Sequence, residues 1–342
     1  MYYYLPHAPI SFFFKHSPRD FVVEELPLYP FSGEGEHLIL TVRKKSLATW
    51  EMISKIANYL GINSREIGYA GLKDKHAMTT QHISVHRRFE SKIDAMDIEG
   101  IKILAKTYHN NKIKLGHLIG NRFFIRLKKV SSADGSKIKH VMQDIARLGL
   151  PNYFGFQRFG NDGENFRLGE AICAGTKREK NINLQRMYIN AYQSKLFNDW
   201  LDVRFANAST NPYAAQIPLG LYAGDIAMHY PHGKAFVVED VPAELERLES
   251  HNTVLSGLLA GKRAMRAQGE ALAMEAMFDK PTPVDGERRF AWIYPTEIEA
   301  HYKSDDAWME LHFSLPKGCY ATVLLEQLAK TPIEKLSEGI DA

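Results

Sequence analysis

The spacing of apolar residues predicts a helix, a loop and a strand in succession within the first third of the chain. Residues 46–60, SLATWEMISKIANYL, place apolar side chains three and four positions apart, which is typical of a core-facing helix. Ser46 is a possible N-cap of this helix, and Gly61 is expected to end it. The following TQHISVH alternates, with Ile83 and Val85 on one face, which predicts a half-buried strand. The polar segment between the two is expected to be a loop.

A second alternating segment, GNRFFIRLKKV at residues 120–130, predicts another strand. Its apolar face carries Phe123, Ile125 and Leu127. Its other face is basic with one aromatic residue and carries Arg122, Phe124, Arg126 and Lys128. Helical spacing returns over residues 137–148, and we expect Gly149 and Pro151 to stop that helix.

The middle of the chain shows mainly helical periodicity, and a third strand and a further helix follow it. Helical stretches near residues 165–174, 184–205 and 252–278 predict a mostly helical region with short interruptions. Near the end, WMELHFSL alternates like a strand and CYATVLLEQLAK follows as a helix. We predict an α+β fold in which this last strand and helix rejoin the first domain and the middle region is inserted between them.

Composition narrows the class of protein only a little. The 342 residues are 45% hydrophobic and 24% charged, which is ordinary for a globular protein. Cys173 and Cys319 lie far apart, so neither a disulfide framework nor a cysteine zinc site is indicated, and a reduced, cytoplasmic location is the default. No apolar run is long enough to span a bilayer, and the start of the chain lacks the pattern of a signal peptide. The net charge of +3 is compatible with a nucleic-acid partner and does not require one.

One carboxylate stands out because of its neighbours. Asp74 lies between Lys73 and Lys75 in the loop segment YAGLKDKHAMTTQ, residues 69–81. An acid in such a turn is usually a solvated surface charge. Nearby cations favour the ionised form, however, and an ionised carboxylate suits nucleophilic attack or proton abstraction better than acid catalysis.

The segment AGLKDKHAMTTQ resembles the catalytic motif of the TruD family of pseudouridine synthases, whose Gly-x-Lys-Asp-Lys/Arg-x-Ala-x-Thr core carries a nucleophilic aspartate. Further segments resemble the family in the expected order and span most of the chain. They are FFKHSPRDFVVEELPLYPFSGEGEHL, GNRF at 120–123, PNYFGFQRFG at 151–160 and FSLPKGCYATVLLEQL. The resemblance implies that Asp74 is the nucleophile of an enzyme that converts uridine to pseudouridine in transfer RNA.

The resemblance also implies roles for other residues. Lys15 matches the basic residue that pairs with the catalytic aspartate, Phe123 matches the position that stacks on the target base, and Asn121 matches a polar active-site residue. We expect RNA contacts from Lys73, Lys75 and Arg122 in the first place. They belong to a larger basic group that also includes Arg87, Arg88, Lys112, Lys114, Arg126 and Lys128.

The implied architecture is a pseudouridine synthase catalytic domain with a mixed or antiparallel sheet, formed by residues 1–154 and 301–342. A mostly helical inserted domain, residues 155–300, would form the other wall of the RNA cleft. The family chemistry involves no redox step, so no cofactor or metal is expected. Bacterial members typically modify the uridine at position 13 of certain transfer RNAs. No obligate protein partner is indicated, and a monomer is expected.

Two alternatives come from other classes of protein. The chain could be a non-catalytic RNA-binding protein or RNA chaperone that retains the fold, although such a protein would not need Asp74, Lys15 and Phe123 together. A zinc hydrolase is conceivable because His82 and His86 are four residues apart, near three further histidines, His76, His109 and His117. The HISVH segment lacks the glutamate of a His-Glu-x-x-His helix and alternates like a strand, which argues against this alternative.

Overall fold

A computed structural model describes residues 1–15, 17–75 and 77–337. In these ranges the strands are β1 Phe21–Pro27, β2 His37–Lys45, β3 Gly68–Tyr69, β4 Met78–His86, β5 Ile101–His109, β6 Leu118–Leu127, β7 Leu150–Pro151, β8 Ile226–His229, β9 Ala235–Val237, β10 Thr253–Leu259, β11 Glu287–Phe290, β12 Trp292–Ile293, β13 Thr296–Lys303 and β14 Trp308–Pro316. The helices are α1 Thr49–Leu60, α2 Glu90–Asp94, α3 Ser132–Leu148, α4 Asn165–Cys173, α5 Ile182–Ala208, α6 Val241–Glu249, α7 Gly269–Ala276, α8 Ala321–Ala329 and α9 Ile333–Ser337. The predicted α+β class is confirmed.

An eight-stranded mixed sheet carries the loop that contains Asp74. Its strand order is β13-β14-β6-β1-β4-β2-β5, with β3 paired to β4. All pairs are antiparallel except β1 with β4, which run parallel. The strands predicted from TQHISVH, GNRFFIRLKKV and WMELHFSL are confirmed as β4, β6 and β14, and β14 pairs with β6 as expected for a strand that returns to the first domain.

Helix α1 covers one face of this sheet. Its buried residues, among them Met52, Ile56 and Leu60, pack on apolar side chains of β2 and β4. Gly61 ends the helix in the left-handed conformation with φ 72°, as predicted. The predicted N-cap is wrong: α1 begins at Thr49 after Ala48, and Ser46 itself has a positive φ of 57°, which takes it out of capping geometry.

The chain divides into two compact units. One consists of residues 9–146, 295–318 and 334–342, and it holds the eight-stranded sheet. The other consists of residues 1–8, 147–294 and 319–333. These boundaries differ from the predicted division into 1–154 plus 301–342 and 155–300. Helix α8 lies in the second unit, where all nine of its residues are buried and Val323 belongs to the hydrophobic core.

The second unit combines helices with strands. The predicted helices near 165–174 and 184–205 are confirmed as α4 and α5. The predicted helix over 252–278 is wrong in its first part, because Thr253–Leu259 is strand β10 in a four-stranded sheet of order β11-β10-β8-β9. Every residue of β10 is buried, so the strand shows no alternation, and a short buried strand cannot be told from a helix by periodicity alone. None of the helices in the described ranges combines the length and hydrophobicity needed to span a membrane.

Candidate active site

The loop that contains Asp74 is held from beneath by the buried ammonium group of Lys44. Lys44 Nζ donates to the carbonyl oxygens of Leu47 at 2.6 Å and Asp74 at 2.8 Å, with a longer contact of 3.4 Å to that of Lys73. The side chain is 0% exposed. Three backbone carbonyls therefore converge on one cation, which fixes the path of the chain at Asp74.

Lys44 reaches this place because it continues the apolar face of β2. Leu38, Leu40 and Val42 point from that face into the core beneath α1, and Lys44 is the next residue on the same side. Burial lowers the pKa of Lys44 from 10.5 to about 8, and the negative charge of Asp74 opposes this shift. Lys44 is thus still a cation at neutral pH, close enough to the Asp74 carboxylate to attract it.

A second buried cation, Lys73, ties the loop to two strands of the sheet. Its Nζ lies 3.0 Å from Glu25 Oε2 on β1 and 2.5 Å from Asn121 Oδ1 on β6. Glu25 and Asn121 face each other directly in the β1–β6 register. Lys73 therefore bridges two side chains that strand pairing already places opposite each other, and its ammonium group points into the protein.

Opposing effects set the pKa values of Glu25 and Lys73. Burial raises the pKa of Glu25, but hydrogen bonding from His82 and the attraction of Lys73 outweigh it, so the pKa is lowered below its usual value. Burial lowers the pKa of Lys73, and Glu25 partly restores it. Glu25 is only 2% exposed, and the backbone N–H of His82 donates to its Oε1 at 3.1 Å. The pair is a buried salt bridge with additional hydrogen bonds.

The first turn of α1 supplies the remaining anchors of the loop. The backbone N–H of Lys73 donates to Thr49 Oγ1 at 2.8 Å, and Thr49 Oγ1 donates to Gln81 Oε1 at 3.0 Å. Glu51 Oε1 lies 3.7 Å from Lys75 Nζ. Asp74 sits half-buried among these anchored neighbours. The arrangement can present one carboxylate in a fixed position beside a buried positive charge.

The structure places the other predicted residues in different surroundings. Lys15 is exposed, and the ion pairs of the described residues include none between Lys15 and Asp74, so that pairing stays a prediction. Phe123 is 6% exposed, and its ring lies 5.5 Å from that of Phe313 and 6.0 Å from that of Phe21. Arg122 forms ion pairs with two carboxylates, those of Glu297 at 2.9 Å and Glu24 at 3.6 Å.

The histidines considered for a metal site have other partners. His82 Nδ1 lies 3.7 Å from Glu25 Oε1, and His86 Nδ1 accepts a hydrogen bond from the backbone N–H of Arg88. His76 falls outside the described residues. Within the described ranges, no three His, Cys, Asp or Glu side chains are grouped so that they could hold a metal ion.

Sequence reasoning missed three residues that shape the site: Glu25, Lys44 and Thr49. A signal for the first two was present, because each charge interrupts an otherwise apolar strand face. Glu25 follows Phe21 and Val23 on the buried face of β1, as Lys44 follows the buried face of β2. A charged residue in that position must find a partner in the interior. Thr49 gave no comparable signal.

Comparison with known proteins adds independent information. A sequence model of the family described as tRNA pseudouridine synthase D (TruD) matches residues 1–180 and 176–328. A tRNA pseudouridine synthase D from Sulfurimonas denitrificans is 48% identical, with 97% of this chain and 99% of the relative covered. One from Campylobacter jejuni is 40% identical, with 95% of each chain covered. A crystal structure of a tRNA pseudouridine synthase D candidate from Methanosarcina mazei shares the fold at 22% identity with a TM-score of 0.73, covering 98% of this chain and 97% of its own.

Proposed function

Because the chain belongs to the TruD family, we propose that it is a tRNA pseudouridine synthase that isomerises one uridine of a transfer RNA, with Asp74 as the nucleophile. The uridine at position 13 is the proposed target. The reaction breaks the glycosidic bond between C1′ and N1, turns the base and joins C1′ to C5. N1 gains a proton and C5 loses one, so the product is an isomer of the substrate. No redox step occurs in this sequence.

The observation that carries the proposal is the anchoring of the Asp74 loop by a buried cation. Lys44 Nζ donates to the Asp74 carbonyl oxygen, and its positive charge interacts with the negative charge of the Asp74 side chain. Attack on the sugar or the base, or removal of a proton, all require an ionised acid in a fixed position. Lys44 is therefore proposed as the counter-charge of Asp74 within the enzyme, and Lys15 as a second one.

We propose that Asn121 and Phe123 of β6 recognise the target base. Asn121 and Phe123 lie two residues apart on one face of that strand, which separates them by about 7 Å. The side chain of Asn121 already binds Lys73, whose loop carries Asp74. A uracil that stacks on Phe123 would lie near this group, and stacking would offset part of the few kcal/mol that base flipping costs. Arg122 and Lys75 are proposed to contact the RNA backbone.

Substitution of Asp74 by asparagine tests the proposal. We expect Asp74→Asn to lower pseudouridine formation in a transfer RNA transcript by more than about 10³-fold, because the amide is a far weaker nucleophile. RNA affinity should change little, since the substitution keeps the shape of the side chain. The measurement is pseudouridine mapping after single-turnover incubation, combined with a binding titration.

The exposed acid Asp97 of the same unit gives a matched control, and Asp97→Asn should behave like the wild type. If wild type and Asp74→Asn both leave every uridine unchanged while binding RNA equally, the non-catalytic RNA-binding alternative is correct and the synthase proposal is wrong. The cytoplasmic location and the monomeric state stay predictions.

A further inference from the structure

A cavity of about 600 Å³ lies beside the residues that anchor the Asp74 loop. We propose that it binds one unstacked nucleotide of the substrate RNA, distinct from the target uridine. Its lining combines aromatic and apolar side chains with three cations, namely Trp50, Tyr69, Leu115, Arg65, Lys112 and Lys114. Aromatic and apolar side chains can stack on a nucleobase, and cations can bind a phosphate.

The apolar part of the lining is exposed to an unusual degree. Trp50, in the first turn of α1, is 61% exposed, whereas Trp200 and Trp292 are buried. Leu115, which lines the same cavity, is 68% exposed. Large apolar side chains gathered at one concave surface mark an interaction site more often than single exposed ones do. The flat indole of Trp50 offers a face on which a nucleobase can stack.

The three cations of the cavity have no carboxylate partners within residues 1–15, 17–75 and 77–337. Lys112 Nζ donates to the backbone carbonyl of Arg65 at 2.5 Å, which brings these two residues together. Several other basic residues of the unit do form ion pairs with acids, namely Lys73, Arg122 and Lys128. Positive charge without an internal partner favours an anion from outside, and the RNA backbone supplies phosphates.

The position of the cavity connects it to the proposed chemistry. Trp50 stands between Thr49, which accepts the backbone hydrogen bond of Lys73, and Glu51, which pairs with Lys75. On the other side, the backbone N–H of Gly116, next to Leu115, donates to the carbonyl of Ala70 at 2.8 Å. The cavity therefore adjoins the Asp74 loop through both of its walls. The inference rests on the proposed function, because flipping a target uridine unstacks its neighbours and leaves a base for Trp50 to receive.

The test uses tryptophan fluorescence during titration with an unmodified transfer RNA transcript, in an Asp74→Asn background that prevents turnover. We expect RNA to quench the emission of Trp50, and Trp50→Ala to weaken the affinity about tenfold through loss of base stacking. Trp50→Phe keeps an aromatic face, so it should retain affinity within about threefold while the quench disappears.

Tyr59 provides the matched control, since it is an exposed aromatic residue on the same helix that does not line the cavity, and Tyr59→Ala should bind like its parent. Thermal unfolding of each variant shows whether the fold is intact, and exposed positions should shift it little. Unchanged affinity in Trp50→Ala overturns the inference and leaves the synthase proposal standing. Failure of the wild-type enzyme to form pseudouridine overturns the proposed function, and the titration still reports whether Trp50 contacts RNA.

Discussion

At the scale of single residues, buried charges define the site. Glu25, Lys44 and Lys73 each lie in the interior, and each has partners that offset the cost of leaving water. Breaking a buried ion pair by removing one partner costs about 3–5 kcal/mol, since the other charge is left uncompensated. The loop that carries Asp74 is therefore coupled to the sheet by interactions that cannot be lost singly without a large penalty.

The lowered pKa of Lys44 predicts that enzyme activity and folding stability depend differently on pH. Its pKa is lowered from 10.5 to about 8 in the folded protein, so between these values the unfolded chain binds more protons and stability rises with pH. Over the same range the ammonium beside Asp74 is lost. We therefore expect pseudouridine formation to fall above about pH 8 while the thermal midpoint is not lowered by this group.

The arginine variant separates Lys44 from other titrating groups. A guanidinium stays charged across this range, so folded Lys44→Arg should lack the decline that Lys44 causes. Rates measured from pH 7 to 9 under single-turnover conditions, together with thermal unfolding at each pH, provide the comparison. If the rate falls above about pH 8 equally in the wild type and in folded Lys44→Arg, a group other than Lys44 controls this decline.

At the scale of elements, β6 organises the site because it lies between β1 and β14. Its register places Asn121 opposite Glu25 on one side and Leu315 on the other. Gly120 permits this close approach: a Cβ at that position would lie 2.2 Å from the backbone oxygen of Leu315. The position of Asn121, and hence of the partner of Lys73, depends on the spacing of these strands.

Substitution of Gly120 by alanine should therefore disturb the site through the strands. We expect Gly120→Ala to lower the free energy of unfolding by about 1–3 kcal/mol, the usual range for overpacking, and to reduce pseudouridine formation in the protein that remains folded. Urea unfolding and single-turnover rates measure the two effects. Ile119→Ala, at the exposed neighbouring position, is the control and should alter both much less. Wild-type stability in Gly120→Ala would contradict the close-packing argument.

Elements that alternate or repeat with a clear period were predicted correctly, whereas fully buried elements gave a weaker signal in the sequence. β4, β6 and β14 each have one buried and one more exposed face, so the alternation is visible in the sequence. β10 and α8 are buried on all sides, which removes that contrast. The first was predicted as part of a helix. The second was predicted as a helix, and nothing in its own sequence shows which core surrounds it.

At the scale of the whole molecule, the distribution of charge matters more than the net value of +3. Six of the nine basic residues considered for RNA binding are committed to ion pairs, namely Lys73, Lys75, Arg88, Arg122, Arg126 and Lys128. Lys112 and Lys114 form no such pair within the described ranges, and both line the cavity next to Trp50. Lysines without internal partners should contribute more to phosphate binding than paired ones.

This difference predicts the salt dependence of RNA binding. Removing both cavity lysines in Lys112→Ala/Lys114→Ala should reduce the slope of log affinity against log salt by about 1.5, the value for two phosphate contacts. The control Lys106→Ala/Lys137→Ala changes the net charge equally but removes lysines that pair with Asp94 and Asp134. Its slope should stay close to that of the wild type. The measurement is a set of RNA titrations at salt concentrations from about 50 to about 200 mM, which is a fourfold range. Equal slopes in the two double variants would contradict the prediction.

The sequence by itself determined the elements with a clear apolar period, the α+β class and the family resemblance around Asp74, because all of these are written in local spacing and residue order. Tertiary structure alone decided which charges meet. Glu25, Lys44, Lys73 and Asn121 come from four separate segments, and they are brought together by the pairing of β1 with β6 and by a loop that packs against β2 and α1. Strand register fixes such contacts, and register depends on the packing of the whole sheet rather than on any one strand.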